Sequence, residues 1–158
     1  MIINFIKCLV ICLSLYSFGV GKEIITASIS RIIDGDTVEV FRGSEKVKIR
    51  LYGIDAPERA QDYGNSATRA LQEALKPYDE IDVVIRDKDR YGRVVGEIFA
   101  AGSNINLLML LEGHCWHYER YSKDKHYKRA QLLAKKENLG LWRYPNPLPP
   151  WEFRKKKK

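Results

Sequence analysis

The segment Val47–Arg59 reads VKIRLYGIDAPER and combines a short alternating run with a charged turn. From position 47 to position 52, apolar residues alternate with polar or aromatic ones. A period of two is typical of a β-strand with one buried face, and Gly53 marks the end of this strand. Arg50 is therefore expected on the face of the strand opposite the apolar side chains.

A polar turn is predicted directly after this strand. Pro57 has no backbone N–H and disfavours a helical conformation at Ala56, so a helix does not begin here. The turn carries two carboxylates, Asp55 and Glu58. Surface loops held by a rigid strand are common places for binding and catalytic residues. We therefore regard this turn as the centre of a candidate site.

The flanking segments alternate between strand and helix patterns. Residues 24–40 predict two strands joined by the turn Asp34-Gly35-Asp36, and apolar residues at helical spacing predict a helix over 62–76. The later predicted elements are strands over 81–85 and 93–100, a helix that follows Ser103-Asn104, and a helix over 122–138. Five short strands with a helix between the third and the fourth predict an α+β protein, a five-stranded OB-type β-barrel with three α-helices.

Particular residues are predicted at the helix ends. Asn65 or Ser66 is expected to cap the first helix, and Ser122 is expected to cap the third. Ser103-Asn104 is expected to cap the second helix, and Gly113 is well placed just past its end, where a left-handed conformation is common.

The two ends of the chain differ in composition from its middle. The length of 158 residues suits one domain with a buried core, which we assign to residues 22–144. Residues 1–21 carry one charge, Lys7, and a mostly apolar run, which predicts a signal peptide or else an uncleaved membrane anchor. We accordingly expect a secreted or periplasmic protein, or one anchored facing outside the cytoplasm. Residues 145–158 are rich in proline and lysine and predict an extended, solvated tail.

Charge and cysteine content restrict the classes of function. The formal net charge of +7 favours an anionic partner such as nucleic acid or a membrane surface. Cys8 and Cys12 lie in the predicted leader, so Cys115 is alone in the predicted domain and has no disulfide partner there. A catalytic Cys115 beside His114 and His117 is an alternative, although no further residue completes such a site.

Four carboxylates would crowd together if their two loops meet: Asp34, Asp36, Asp55 and Glu58. Like charges at short range repel one another. A hard divalent cation with oxygen ligands would relieve that repulsion, which favours calcium over zinc. Both loops also have a purely structural interpretation, because Asp-Gly-Asp is a common hairpin turn and residues 55–58 can form a simple polar loop.

Two arginines could bind a phosphate group beside these carboxylates. Arg50 and Arg93, the latter in the segment DRYGR, offer planar guanidinium groups that can contact two phosphate oxygens at once. Phosphodiester hydrolysis requires a metal ion and arginines that stabilise negative charge on the phosphoryl oxygens, and a carboxylate that takes a proton from water. The segment DRYGR is also a good hairpin turn with a solvated arginine.

Several motifs together resemble the staphylococcal nuclease (thermonuclease-like) family. They are IIDGDTVEV, IRLYGIDAPE and DRYGR, followed by GHCWHYERY and NLGLW, and they cover roughly residues 24–142 in one collinear run. The resemblance implies an OB barrel with three helices and Ca²⁺-dependent hydrolysis of DNA and RNA that leaves 3′-phosphate ends. It implies nucleic acid as the partner, no protein partner, and a monomer.

The resemblance also implies roles for individual residues. Those around a calcium ion would be Asp36 and Asp55 through their side chains, Ala56 through its carbonyl, and Asp34 and Thr37 through water. Glu58 would be the general base, and Arg50 and Arg93 would contact the phosphate. Those near the nucleotide would be Arg90, Tyr91, Tyr118 and Tyr121. Ala56 stands where the family often has a hydroxyl residue, which does not affect a carbonyl ligand.

A non-catalytic OB module that binds nucleic acid is the alternative from another class of function. The presence of all the acids and arginines named above favours the enzyme. Trp116, Tyr118 and Tyr121 can stack on bases or can close the mouth of the barrel, and the sequence leaves both roles open.

Overall fold

The computed structural model describes residues 22–156. The predicted leader at residues 1–21 and the last two lysines lie outside the described residues. The strands are β1 (Ile24–Asp34), β2 (Thr37–Arg42), β3 (Glu45–Leu51), β4 (Ile54–Asp55), β5 (Glu80–Lys88), β6 (Val94–Ala100), β7 (Ser103–Asn104) and β8 (Trp116–His117). The helices are α1 (Gly64–Leu75), α2 (Ile105–Leu111), α3 (Lys125–Lys136), a 3₁₀ helix (Gly140–Arg143) and α4 (Pro150–Lys156).

Five of the strands close into a barrel. Strand β1 pairs antiparallel with β2 on one side and with β5 on the other, and β2–β3 and β5–β6 extend the sheet. A parallel pairing of β3 with β6, in which Ile49 faces Val94, joins the two ends. The predicted α+β architecture with a five-stranded OB-type barrel is confirmed. The three predicted helices correspond to α1, α2 and α3, and the short helix α4 is added to them.

The barrel core follows the alternation that the sequence shows. In β3, Ile49 and Leu51 are fully buried, whereas Lys46 and Lys48 are exposed. Helix α1 contributes an apolar stripe whose residues pack into the same core, Ala67, Leu71 and Leu75. Removal of this apolar surface from water is the main stabilising contribution. Within residues 22–156, no helix is both long enough and apolar enough to span a bilayer.

Two predictions about helix N-termini are wrong. Helix α1 begins at Gly64, and the preceding Tyr63 has a left-handed conformation without a side-chain cap, so neither Asn65 nor Ser66 caps it. The tight turn that leads into α1 from Gln61, whose carbonyl accepts from the N–H of Gly64, fixes this earlier start. The prediction failed because this turn starts the helix before Asn65 and Ser66 are reached, whatever their preference for capping positions.

The third helix, in contrast, begins later than predicted. Asp124 caps α3 by accepting from the N–H of His126 at 2.7 Å, and Ser122 lies outside the helix, where its hydroxyl accepts from the N–H of Asp124. A carboxylate is a strong acceptor beside the positive end of a helix, which favours Asp124 as the cap. The predicted cap of α2 is confirmed, because Asn104 accepts from the N–H of Leu107 at 2.9 Å.

The C-terminal segment is not the extended, solvated tail that its composition predicts. Residues 150–156 form helix α4, which begins with Pro150, a residue tolerated at the first helical position because it needs no N–H there. The Trp151 ring packs edge-on against Trp116, with centroids 5.7 Å apart. The side-chain amide of Gln61 donates to the carbonyl of Leu148. Aromatic burial and this hydrogen bond hold the segment against the domain.

Candidate active site

The two acidic loops meet beside the barrel. The N–H of Ala56 donates to Oδ2 of Asp36 at 2.6 Å, and the N–H of Leu51 donates to the carbonyl of Asp36 at 2.8 Å. A Cβ placed on Gly35 would lie 2.7 Å from Cβ of Ala56 and 2.8 Å from Cβ of Ala67. Glycine at position 35 therefore allows the turn between β1 and β2 to lie directly on the turn after β4.

Replacing Gly35 by alanine should destabilise the protein by about 1–3 kcal/mol, because the added methyl group meets two fixed Cβ atoms. Urea denaturation followed by circular dichroism measures the change. Adding Ala56→Gly to Gly35→Ala should recover part of the loss in a double-mutant cycle, since it removes one of the colliding atoms. A Gly35→Ala variant as stable as the natural protein would show that the two loops are not in contact.

Arg50 joins the carboxylates of the two loops. Its Nη1 lies 2.9 Å from Oδ1 of Asp36, and its Nη2 lies 2.9 Å from Oδ1 of Asp55. The Arg50 side chain is 15% exposed and the Asp55 side chain is 1% exposed. Buried carboxylates are costly unless they are paired and hydrogen-bonded. The guanidinium group of Arg50 therefore makes this concentration of buried negative charge possible.

The electrostatics around Asp36 remain unfavourable despite Arg50. Burial raises the pKa of Asp36 well above its ordinary value, Arg50 lowers it, and repulsion from Asp34 and Asp55 raises it further. Oδ1 of Asp34 accepts from the N–H of Asp36 at 3.0 Å, and the hydroxyl of Thr37 donates to Oδ1 of Asp36 at 3.2 Å. Additional positive charge at this place would stabilise the ionised carboxylates.

Glu58 lies in the same turn but is more accessible, with 41% of its side chain exposed. Nη1 of Arg154, on helix α4, donates to Oε1 of Glu58 at 2.8 Å, and Nη2 of Arg154 donates to Oδ2 of Asp55 at 2.8 Å. No local pattern indicates a role for Arg154, because the composition of residues 145–158 is that of a solvated tail. The tryptophan at position 151 was the available signal, since a solvated tail seldom needs a large apolar ring.

The oxygen donors of the acidic loops are few but of the kind that a calcium ion requires. Across residues 22–156, no group of three or more His, Cys, Asp or Glu side chains is arranged to hold a metal ion. The implied ligands comprise only two such side chains, Asp36 and Asp55, together with the carbonyl of Ala56. These are the hard oxygen donors that calcium prefers, and repulsion from Asp34 and Asp55 adds to the burial that raises the pKa of Asp36. The residues therefore fit a hard divalent cation, although Arg50 and Arg154 supply the positive charge in this structure.

Arg93 lies in the hairpin between β5 and β6, just before the point where β6 pairs with β3. Its Nε lies 2.7 Å from Oδ2 of Asp89, so its guanidinium group is paired within its own turn. Arg90 and Arg93 both lie over the ring of Tyr91, which is 71% exposed. Roles for Arg90, Tyr91 and Arg93 at a substrate stay predictions, because the structure pairs them with one another and with Asp89 instead of with the carboxylates around Arg50.

Tyr118 and Tyr121 lie beside the acidic turn. Strand β8 pairs with β4, so that Trp116 faces Asp55, and the N–H of Tyr118 donates to the carbonyl of Gly53 at 2.8 Å. The rings of Tyr118 and Tyr121 are 4.9 Å apart, and Tyr121 is 62% exposed. A cavity of about 560 Å³ opens here, and its lining includes Trp116, Tyr118, Lys135, Trp151 and Lys155. The structure thus brings a surface of aromatic and basic residues next to the carboxylates.

The catalytic-cysteine alternative does not fit the structure. Cys115 is fully buried in the hydrophobic core, and burial raises the pKa of its thiol well above the ordinary value. Cysteine chemistry requires an accessible thiolate. Cys115 is therefore a core residue.

The protein is therefore an OB-type barrel that carries a cluster of buried carboxylates around Arg50, at the end of strand β3. The family model of staphylococcal nuclease homologues matches residues 48–144. The chain belongs to the staphylococcal nuclease homologue family.

Three relatives with nuclease names support this membership. The chain is 37% identical over 152 residues to an uncharacterized endonuclease of Escherichia coli, an alignment that covers 96% of this chain and 99% of the relative. It is also 37% identical over 139 residues to a micrococcal nuclease of Shigella flexneri, covering 81% of this chain and 79% of the relative. A staphylococcal-like nuclease of Arabidopsis thaliana is 38% identical over 134 residues, which span 85% of this chain but 41% of that protein.

Proposed function

We propose that the protein is a calcium-dependent nuclease that hydrolyses phosphodiester bonds of DNA and RNA and leaves 3′-phosphate ends. The observation that carries the proposal is the convergence of Asp36 and Asp55 on Arg50, with the accessible carboxylate of Glu58 in the adjoining turn. Membership of the staphylococcal nuclease homologue family and the nuclease names of its relatives support it. Residues 1–21, as a leader, would direct this activity to the periplasm or outside the cell.

Glu58 is the residue best placed to accept a proton. It is the carboxylate of the acidic turn whose side chain is substantially exposed, so a water molecule can reach it, whereas Asp55 is buried. As general base it takes a proton from this water while the water oxygen bonds to phosphorus. The bond from phosphorus to the 5′ oxygen then breaks, that oxygen takes a proton from solvent, and the phosphate remains on the 3′ side.

Arg50 and the buried carboxylates form the electrostatic part of the site. A guanidinium group fixed by Asp36 and Asp55 is held in one orientation, and its planar fork suits two phosphoryl oxygens. Asp36, Asp55 and the carbonyl of Ala56 would hold the calcium ion, with Asp34 and Thr37 acting through water. When bound, that ion supplies positive charge to the phosphoryl oxygens. Arg93 would contribute from the neighbouring hairpin once a phosphate competes with Asp89 for its guanidinium group.

Calcium should raise the melting temperature of the protein. The reason is that the carboxylates of Asp34 and Asp55 repel that of Asp36, and a bound cation would relieve this repulsion. A ligand that binds only the native state stabilises it by RT ln(1 + [L]/Kd), about 2.7 kcal/mol at a concentration 100 times Kd. Scanning calorimetry with millimolar calcium, and magnesium for comparison, measures the shift. An unchanged melting temperature would contradict a calcium site.

A nuclease assay tests the proposed function directly. Purified protein is incubated with labelled DNA and RNA in calcium and then in excess chelator, and the ends of the products are analysed. We expect cleavage with calcium, its loss with chelator, and 3′-phosphate ends. Binding of polynucleotide without cleavage in calcium would support the alternative, a non-catalytic OB module.

A further inference from the structure

Helix α4 covers the residues to which the proposed function gives the chemistry. The guanidinium group of Arg154 contacts both oxygens of Asp55, with Nη1 at 3.2 Å from Oδ1 and Nη2 at 2.8 Å from Oδ2. The same Nη1 lies 2.8 Å from Oε1 of Glu58. One arginine therefore pairs with an implied calcium ligand and with the implied general base.

The same helix covers the aromatic side of the site. The ring of Trp151 stacks on Tyr118 with centroids 5.2 Å apart and planes 2° from parallel. A nucleobase that stacked on this face of the Tyr118 ring would collide with Trp151. The carboxylates and this aromatic ring are thus covered by two side chains that lie three residues apart on one helix, Trp151 and Arg154.

We infer that helix α4 is an autoinhibitory latch, in which Arg154 competes with a divalent cation for Asp55 while Trp151 covers Tyr118. This inference rests on the proposed function. A cation at Asp55 competes with two guanidinium groups, because Arg50 and Arg154 together contact both of its oxygens. Arg50 belongs to the barrel wall and is nearly buried, whereas 42% of the Arg154 side chain is exposed on a peripheral helix, so Arg154 is the group that yields.

Helix α4 is short and is held to the domain by weak contacts, so it can move away from the site. The helix has seven residues and follows a segment that contains Pro145, Pro147 and Pro149. An ion pair with a partly exposed guanidinium group is weak, and the Trp151 stack adds a modest contribution. An arginine side chain stays protonated in proteins, so Arg154 keeps its charge as it competes. The position of α4 over the site is then favoured when no cation is bound, and binding of a cation shifts the population toward the open position.

Calorimetric titration with calcium chloride tests the latch in the full-length protein. Trp151→Ala keeps every charge and removes the stack with Tyr118 together with the edge-on contact with Trp116. Arg154→Gln removes the competing guanidinium group. Since opening the latch raises the fraction of protein competent to bind, both variants should bind calcium at least about fivefold more tightly than the natural chain.

Lys155→Gln is the matched control. It removes one positive charge from the same helix, but Lys155 pairs with Glu152 at 2.8 Å and not with the acidic turn. If Arg154→Gln acted only through bulk electrostatics, Lys155→Gln would tighten calcium binding as much, and Trp151→Ala would not tighten it. That result would overturn the latch. Circular dichroism of each variant shows that it is folded, and Trp151→Ala tests the inference even if Arg154→Gln does not fold.

Failure of the latch and failure of the proposed function give different results. If the natural chain binds calcium and cleaves DNA while both variants bind calcium with unchanged affinity, the latch is wrong and the nuclease stands. If Arg154→Gln weakens binding of a noncleavable oligonucleotide at saturating calcium without changing calcium affinity, Arg154 is a phosphate ligand and the latch is again wrong. If neither the natural chain nor the variants bind calcium, the proposed function fails, and the latch fails with it.

Discussion

Replacing Glu58 by glutamine should lower kcat by about 10²–10⁴-fold, the range typical of the loss of a general base. Glutamine is nearly the same size as glutamate but cannot accept a proton from water. The Glu58 side chain is 41% exposed and packs outside the barrel core, so the variant should fold normally. Steady-state cleavage of a short oligonucleotide at saturating calcium gives kcat, and circular dichroism verifies the fold.

Glu73→Gln is the control for this experiment. Glu73 lies on helix α1, is 66% exposed, and pairs with Lys76, so it carries one negative charge away from the acidic turn. This variant should keep the natural rate. A folded Glu58→Gln protein that also keeps it would remove Glu58 from the mechanism and leave the non-catalytic module as the better interpretation.

Replacing Arg50 by lysine should lower kcat by roughly 10²–10³-fold, as the loss of one donor to a developing oxyanion does in other enzymes. Lysine keeps the positive charge but lacks the planar fork that reaches Asp36 and Asp55 at once. One of these buried carboxylates would lose its contact with residue 50, so thermal stability should fall as well. Cleavage kinetics at saturating calcium and thermal denaturation measure the two effects.

Arg86→Lys separates the catalytic effect from the structural one. Arg86 also pairs with a buried carboxylate, that of Glu97, but it does so on the wall of the barrel. This control should lose stability while keeping kcat. Equal losses of kcat in the two variants would show that Arg50 acts only by holding the fold together.

The sequence by itself determined the barrel and the acidic loops. Alternating residues in β3 and the apolar stripe of α1 are local periodicities, and each periodicity directly specifies which side chains face the core. The turns at 34–36 and 55–58 are likewise marked by glycine and proline, so their carboxylates could be placed at strand ends. Helix starts were predicted less well, because several adjacent residues are acceptable caps and the turns before α1 and α3 decided which residue begins each helix.

Only the tertiary structure decided what lies against these carboxylates. Arg154 reaches Asp55 across 99 positions of sequence and Glu58 across 96, and no local pattern encodes a contact at such a separation. Residues 145–158 have a polar composition, but helix α4 packs here because Trp151 gains burial against Tyr118 and Trp116. Local spacing specifies which face of an element is apolar, but the neighbour that covers that face is selected by packing of the whole chain.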